Sequence, residues 1–247
     1  MERRLIETPL GQIALSGNFR GNRPYVVVIR GAYATEDQFS QMQNFIPSAD
    51  VIFGDIPGNR SPFLSVNSIK SFSEAYTLAI ESLGNPTVVC GNSLGGLIAL
   101  GIRSENVFSI VSIEPPIKPT YSKSLRSAIA GIYHKSKSSV EKSFLYDVFG
   151  ASAEGFHVRD YSWILSELNI NSILITGSDT TDVPSVLSDS DADILKSHPF
   201  VTLERVAGVG HAVHRGGSDT IVSAILNVLA TGPDSKNIDP ARATGTT

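Results

Sequence analysis

The apolar positions of this chain fall into two alternating patterns. Short continuous runs, Tyr25–Ile29, residues 51–53, residues 87–90, Val107–Ile113, residues 173–176 and residues 200–206, read as strands covered on both faces. Between them lie stretches whose apolar residues recur at helical spacing. Ile69, Phe72, Tyr76, Ala79, Ile80 and Leu83 form one such stripe, Leu94, Leu97, Ile98 and Ile102 a second, and Ile221, Val222, Ile225, Val228 and Leu229 a closing one. A helix is also predicted over residues 36–46, with Phe39, Met42, Phe45 and Ile46 inward and Pro47 ending it. Ahead of these, residues 4–7 and 12–16 flank Pro9-Leu10-Gly11 and predict a hairpin. Buried strands alternating with amphipathic helices predict an α/β protein built on a doubly wound, mostly parallel sheet.

Residues 117–168 interrupt this rhythm. Strand signals disappear and Ser and Lys become frequent between Lys118 and Lys142, with Arg126 and His134 among them. We read the segment as a small, mainly helical cap inserted between strands. Its cationic bias predicts that it sets substrate size and attracts acidic groups. No fixed-period repeat and no shift of composition divides the rest, so residues 1–230 are expected to form one domain, with 231–247 a disordered tail.

Composition narrows the partners. Of 247 residues, 41% are hydrophobic and 18% charged, with a formal net charge of -4, which fits a globular protein and predicts no nucleic-acid surface. The single cysteine, Cys90, lies in a predicted buried strand, so no intrachain disulfide and no Cys-based metal site can form. No cofactor or metal is implied. The chain has no run long and apolar enough for a membrane span, and its first residues lack the apolar core of a secretion signal, so a cytoplasmic location is expected.

In a doubly wound sheet, the loops at the carboxyl ends of the strands build the site. Ala32, Asp55, Ser93, Glu114, Asp179 and His211 all follow predicted strands directly or closely. Gly91-Asn92-Ser93-Leu94-Gly95 is a G-x-S-x-G sequence between a strand and a helix, where a tight turn lifts the serine hydroxyl clear of the sheet. A serine hydroxyl is a weak nucleophile that needs a base, and the base needs an acceptor to hold its tautomer. His211, in the Gly-rich loop after the last strand, is the best candidate base. His214 is expected to support that loop, His157 and His198 to be surface residues, and His134 to belong to the cap.

Four pieces together resemble the α/β-hydrolase superfamily over nearly the whole chain to Leu229: Arg30-Gly31-Ala32, Asp55-Ile56-Pro57-Gly58-Asn59-Arg60, the stretch from Gly91 to Gly96, and Gly208-Val209-Gly210-His211. The resemblance implies the α/β-hydrolase fold, a Ser, acid, His order, and an oxyanion hole made by the backbone N–H groups of Leu94 and Ala32. It departs at the acid. Gly177 and Pro184 keep the family's spacing, but Thr180 stands at the usual acid position. Asp179 is preferred, then Glu114 directly after the preceding strand, then Asp182. Asn92 before the serine resembles the branch that cleaves carbon–carbon bonds, although Ala212 replaces the aromatic residue expected after the histidine.

The function these residues imply is a cofactor-independent serine hydrolase acting on an ester or related acyl bond of a small molecule. Thioester hydrolysis, carbon–carbon hydrolysis and acyl transfer are alternatives on the same site. A ligand-binding protein that keeps the fold without turnover is the alternative from another class.

Overall fold

The computed structural model describes residues 1–34, 39, 41–119, 121–178, 184–187 and 189–233. The strands are β1 (Glu2–Thr8), β2 (Gly11–Gly17), β3 (Tyr25–Ile29), β4 (Asp50–Gly54), β5 (Thr87–Asn92), β6 (Val107–Ile113), β7 (Ala151–Ser152), β8 (Gly155–Phe156), β9 (Ser172–Gly177) and β10 (Val201–Val206). The helices are α1 (Met42–Phe45), α2 (Ile69–Leu83), α3 (Leu94–Leu100), α4 (Lys123–Lys135), α5 (Ser139–Phe149), α6 (Trp163–Glu167), α7 (Asp189–Lys196), α8 (Val213–Gly216) and α9 (Ser218–Thr231).

Eight strands form one sheet in the order β1-β2-β4-β3-β5-β6-β9-β10, and β7 and β8 pair separately. The hairpin of β1 and β2 joins β4 antiparallel, and every pairing from β4 to β10 is parallel. Because side chains alternate across a strand, each buried strand feeds two cores. Val27, Ile29 and Val89 face the side covered by Phe72 and Tyr76 of α2 and Leu97 of α3. Val26, Val28, Val88 and Cys90 face the side covered by Met42 of α1 and Ile221, Ala224 and Ile225 of α9. This two-sided burial is why those strands read as unbroken apolar runs. Each fully buried large side chain contributes roughly 1.5–3 kcal/mol.

Local chemistry sets the helix ends. Ser68 caps α2 by accepting a hydrogen bond from the Ser71 amide at 3.1 Å, and Gly84 stops it in left-handed backbone at φ 74°. Residues 117–168 carry α4, α5, the β7–β8 hairpin and α6 between β6 and β9. Phe144, Leu145, Val148 and Ile164 of this segment join the cluster containing α2 and α3, and Phe144 lies 5.9 Å from Phe63 and 6.1 Å from Phe72, ring to ring.

Two expectations change. The helix predicted over 36–46 is a single turn, Met42–Phe45. Residues 36–38 and 40 of that prediction lie outside the described residues. Phe39 is in left-handed backbone at φ 69°, and Phe45 is 56% exposed while Met42 and Ile46 are buried. One turn can direct only one face inward, so Phe45 is left on the other. The polar helix α7 and the β7–β8 hairpin carry too little apolar periodicity to be read from sequence; within α7, Ala192 and Leu195 supply the buried contacts. Of the tail expected over 231–247, Thr231 instead closes α9, and residues from 234 onward lie outside the described residues.

The loop holding His211 is tied to the end of β9. The Gly210 amide donates to the Ser178 carbonyl at 3.0 Å and the Gly208 amide to the Ser178 hydroxyl at 2.7 Å. A Cβ on Gly177 would lie 1.9 Å from the Gly210 carbonyl oxygen, so no side chain fits there without separating the two backbones. Gly131, inside α4, has open space around its Cβ position. Gly177→Ala is therefore expected to cost about 1–3 kcal/mol in urea unfolding. Gly131→Ala is expected to stabilise by about 0.5–1 kcal/mol. Equal effects from the two variants would contradict this packing argument.

Candidate active site

Ser93 sits at the tip of the turn from β5 to α3, with φ 53° and ψ -120°. A non-glycine residue there carries strain on the order of 1–3 kcal/mol, and tight packing maintains it. The Ser93 amide donates to the Ile113 carbonyl at 2.7 Å, and the Ser93 carbonyl accepts from the Leu97 amide at 3.1 Å. A Cβ on Gly91 would meet the Gly95 carbonyl oxygen at 2.2 Å, and one on Gly95 would meet that of Ile29 at 2.2 Å. Those two glycines let α3 close tightly on β5 and on the end of β3, with the serine at the tip of the turn between them.

A cleft of about 520 Å³ opens above this turn, lined by Gly31, Ala32, Tyr33, Ser93, His211 and His214 among others. Leu94 is the first residue of α3, so its N–H belongs to the helix turn that has no intrahelical acceptor. Ala32 lies across the same cleft. The sequence-predicted nucleophile, base and oxyanion positions are thus brought together.

Among the described residues, the carboxylate that meets the histidine is Glu114. Its Oε2 lies 3.1 Å from His211 Nδ1, and its side chain is fully buried. Glu114 itself takes up left-handed backbone, φ 49°, immediately after β6. Three further donors surround the carboxylate. The Gly177 amide and the Ser185 hydroxyl donate to Oε1 at 2.7 and 2.8 Å, and the Val186 amide donates to Oε2 at 2.9 Å. Charge-assisted bonds of this kind offset the desolvation that burial imposes on a carboxylate. Asp179 and Asp182, the other candidates, lie outside the described residues. Ser185, Val186 and Gly177 were not legible as site residues, because nothing in a polar turn tells which carboxylate its donors will meet.

Among the described residues, the non-glycine residues with positive φ are Tyr33, Phe39, Ser93 and Glu114. The first three line the cleft and the fourth holds His211 from behind. Backbone strain is concentrated at this one place, as it is at sites where geometry is held against local preference.

Neighbouring polar groups complete the surroundings. Asn92 is buried beside the serine and its Oδ1 has no hydrogen-bond partner among the described residues. His214 lines the cleft near Phe39, with ring centroids 5.9 Å apart. Burial, reinforced by Arg215 and His211, holds its imidazole below the ordinary value, so it is uncharged at neutral pH. His134 and His157 are exposed, whereas His198 is half-buried with Nε2 2.9 Å from the Leu165 carbonyl, and so it belongs to the packing. Burial pushes the Cys90 thiol up to about 12, which makes it an inert core residue.

Below the cleft, Arg30 and Asp55 form a buried ion pair, Nη1 to Oδ1 at 2.6 Å, with the guanidinium 5.0 Å from the Phe53 ring centroid. The Tyr76 hydroxyl donates to the Asp55 carbonyl at 2.8 Å. This pair pins the ends of β3 and β4, from which the Gly31-Ala32 turn departs.

By sequence, the chain matches no protein-family profile and no curated protein. By structure it is similar to carboxylesterase CesB from Bacillus subtilis, with TM-score 0.71 and 14% identity, covering 94% of this chain and 92% of that one. It is also similar to an N-formylmaleamic acid deformylase from Pseudomonas putida, with TM-score 0.67 and 14% identity over 91% of this chain and 100% of that one. A third such structure is the thioesterase domain from the curacin biosynthetic pathway, with TM-score 0.60 and 17% identity over 92% of this chain and 99% of that one. With the sheet order and the strand-end elbow, these likenesses establish that the chain has the α/β-hydrolase fold. No helix among the described residues is long and apolar enough to cross a membrane.

Removing one member of the Arg30–Asp55 pair leaves the other charge buried and uncompensated. Arg30→Met is expected to lower stability by about 3–5 kcal/mol, and adding Asp55→Leu is expected to recover most of that loss. Chemical denaturation of the single and double variants checks this; a double variant no more stable than the single one would contradict it.

Proposed function

We propose that this protein is a serine hydrolase cleaving an ester or related acyl bond of a small molecule, with Ser93 as nucleophile, His211 as base and Glu114 as acid. The observation that carries the reading is the buried Glu114 carboxylate on His211 Nδ1, behind a cleft that also holds the strained Ser93. Ligand binding alone does not call for a carboxylate held against a histidine at the rim of a strained serine turn, whereas nucleophilic catalysis does. The similarity in fold to proteins named carboxylesterase, thioesterase and deformylase supports acyl chemistry as the reaction class.

In this reading, Ser93 Oγ attacks the acyl carbon while His211 Nε2 takes its proton. Glu114 holds the imidazole in the Nδ1–H tautomer and stabilises the positive charge that forms. The negative oxygen of the tetrahedral intermediate is met by the N–H groups of Leu94 and Ala32, which stabilise charge present only along the reaction. His211 returns the proton to the leaving group. Water then repeats the sequence on the acyl-enzyme, releasing the acid and restoring Ser93.

The neighbouring loop acts on the acid. Gly177, Ser185 and Val186 hold both carboxylate oxygens of Glu114, so the loop after β9 fixes the orientation of an acid that belongs to the end of β6.

A fluorophosphonate is expected to modify Ser93 alone, and Ser93→Ala is expected to abolish both the adduct and hydrolysis of a short-chain aryl ester. Intact mass and peptide mapping check it, and an adduct on another serine would reject the assignment. Glu114→Gln is expected to lower kcat about a thousandfold or more, and Asp179→Asn and Asp182→Asn less than about tenfold. Ser185→Ala, which removes one of several donors, is expected to fall between, at about tenfold. A large loss confined to Asp179→Asn, in protein folded by circular dichroism, would move the acid to the loop after β9.

A further inference from the structure

The helical segment carries a second cleft, of about 360 Å³, that shares no lining residue with the one above Ser93. Lys118, Arg126, His157 and Arg159 line it with Tyr121 and Phe156, and Asp160 supplies its one carboxylate. The cations Lys118, Arg126 and Arg159 come from three separate stretches of the chain: the exit from β6, the first turns of α4, and the residues after β8. In a protein with a net charge of -4, their convergence on one concavity is a local reversal of sign.

The cations are only partly compensated within the protein. Lys118 Nζ stands 3.9 Å from Asp160, a loose contact between side chains 45% and 55% exposed. Asp160 is also engaged elsewhere, accepting from the Ser162 amide at 2.8 Å; bonds from Ser162 hold its carboxyl below the usual range, so it stays ionised. Arg159 donates to the Tyr146 carbonyl and lies 4.6 Å from the Tyr146 ring centroid, while its Nε is buried with no partner among the described residues. His157 Nε2 lies 3.2 Å from the Ser152 hydroxyl. The Arg126 guanidinium makes no hydrogen bond or ion pair among the described residues and stands exposed at the cleft.

The walls are aromatic. Tyr121 and Phe156 meet edge to face with centroids 6.4 Å apart, and Phe149 lies 6.2 Å from Tyr121. Burial raises the Tyr121 phenol above its ordinary value, so it remains a neutral hydroxyl beside the cations. Cations and aromatic rings lining one cleft suit one kind of ligand: an oxyanion carried on a small apolar body.

We propose that this cleft is a binding site for a small aryl or alkyl molecule bearing a carboxylate or phosphate group, separate from the serine cleft. Lys118 and Arg126 engage the oxyanion, and Tyr121 and Phe156 hold the apolar body. The proposal is independent of the serine-hydrolase reading and is tested by binding, not turnover. Phenyl phosphate, benzoate and the uncharged benzyl alcohol are titrated into the full chain by calorimetry at low salt. At least one of the two anions is expected to bind saturably and benzyl alcohol at least tenfold more weakly, with the tighter anion identifying the headgroup. Affinity is expected to fall at least tenfold in Lys118→Ala/Arg126→Ala, whose side chains are exposed enough to remove without unfolding, and to be unchanged in Ser93→Ala. Absence of saturable binding by either anion, or undiminished binding to the double variant, would overturn the proposal.

Discussion

The structure turns on one buried negative charge. Glu114 stands at the end of β6 with its side chain wholly out of water, and every group that makes this tolerable belongs to another part of the chain. Gly177 ends β9, Ser185 and Val186 come from the loop beyond it, and His211 comes from the loop after β10. A carboxylate so placed would be costly if any of these were misplaced, because a buried charge left unpaired costs several kcal/mol. The same bonds that satisfy the charge therefore hold two loops in register with the edge of the sheet. Structural necessity and proposed chemistry rest on the same atoms.

The opposite side of the cleft is governed by steric rather than electrostatic constraint. Gly91 lets β5 and α3, and Gly95 lets α3 and the end of β3, approach so closely that a single added carbon would collide with backbone, and Ser93 is held strained between them. Strain at the serine and burial at the glutamate are both unfavourable locally. Both are sustained by the central strands β3 to β6, which are buried on both faces and leave their ends little freedom to relax. The buried pair of Arg30 and Asp55 plays a similar part beneath the Gly31-Ala32 turn, fixing the backbone that faces Ser93 across the cleft.

The helical segment between β6 and β9 contributes differently. Its apolar side chains extend the core over α2 and α3, while its cations converge on a cleft of their own. The Lys and Arg residues that are conspicuous between Lys118 and Lys142 thus divide in space: Lys118 and Arg126 share a concavity with residues far along the chain, whereas Lys142 lies over the Tyr133 ring at 5.5 Å. Sequence proximity alone did not distinguish them.

What the sequence determined by itself is whatever depends on local periodicity and on a few small residues. Continuous apolar runs marked the buried strands, the three-to-four spacing of Phe72, Tyr76 and Ile80 marked α2, and the glycines around Ser93 marked a turn that few other residues could make. Being local, these signals also placed the strand ends, and therefore Ser93 and His211, at one edge of a parallel sheet. The partner of His211 could not be settled in this way. Asp179 and Glu114 follow β9 and β6, which are neighbours in the sheet at a spacing of about 4.8 Å. A turn of the backbone at φ 49° and the glutamate side chain bring Glu114 to within 3.1 Å of the imidazole. Its partners are 63 to 97 residues away in sequence, and only the closed tertiary structure brings them within hydrogen-bonding distance.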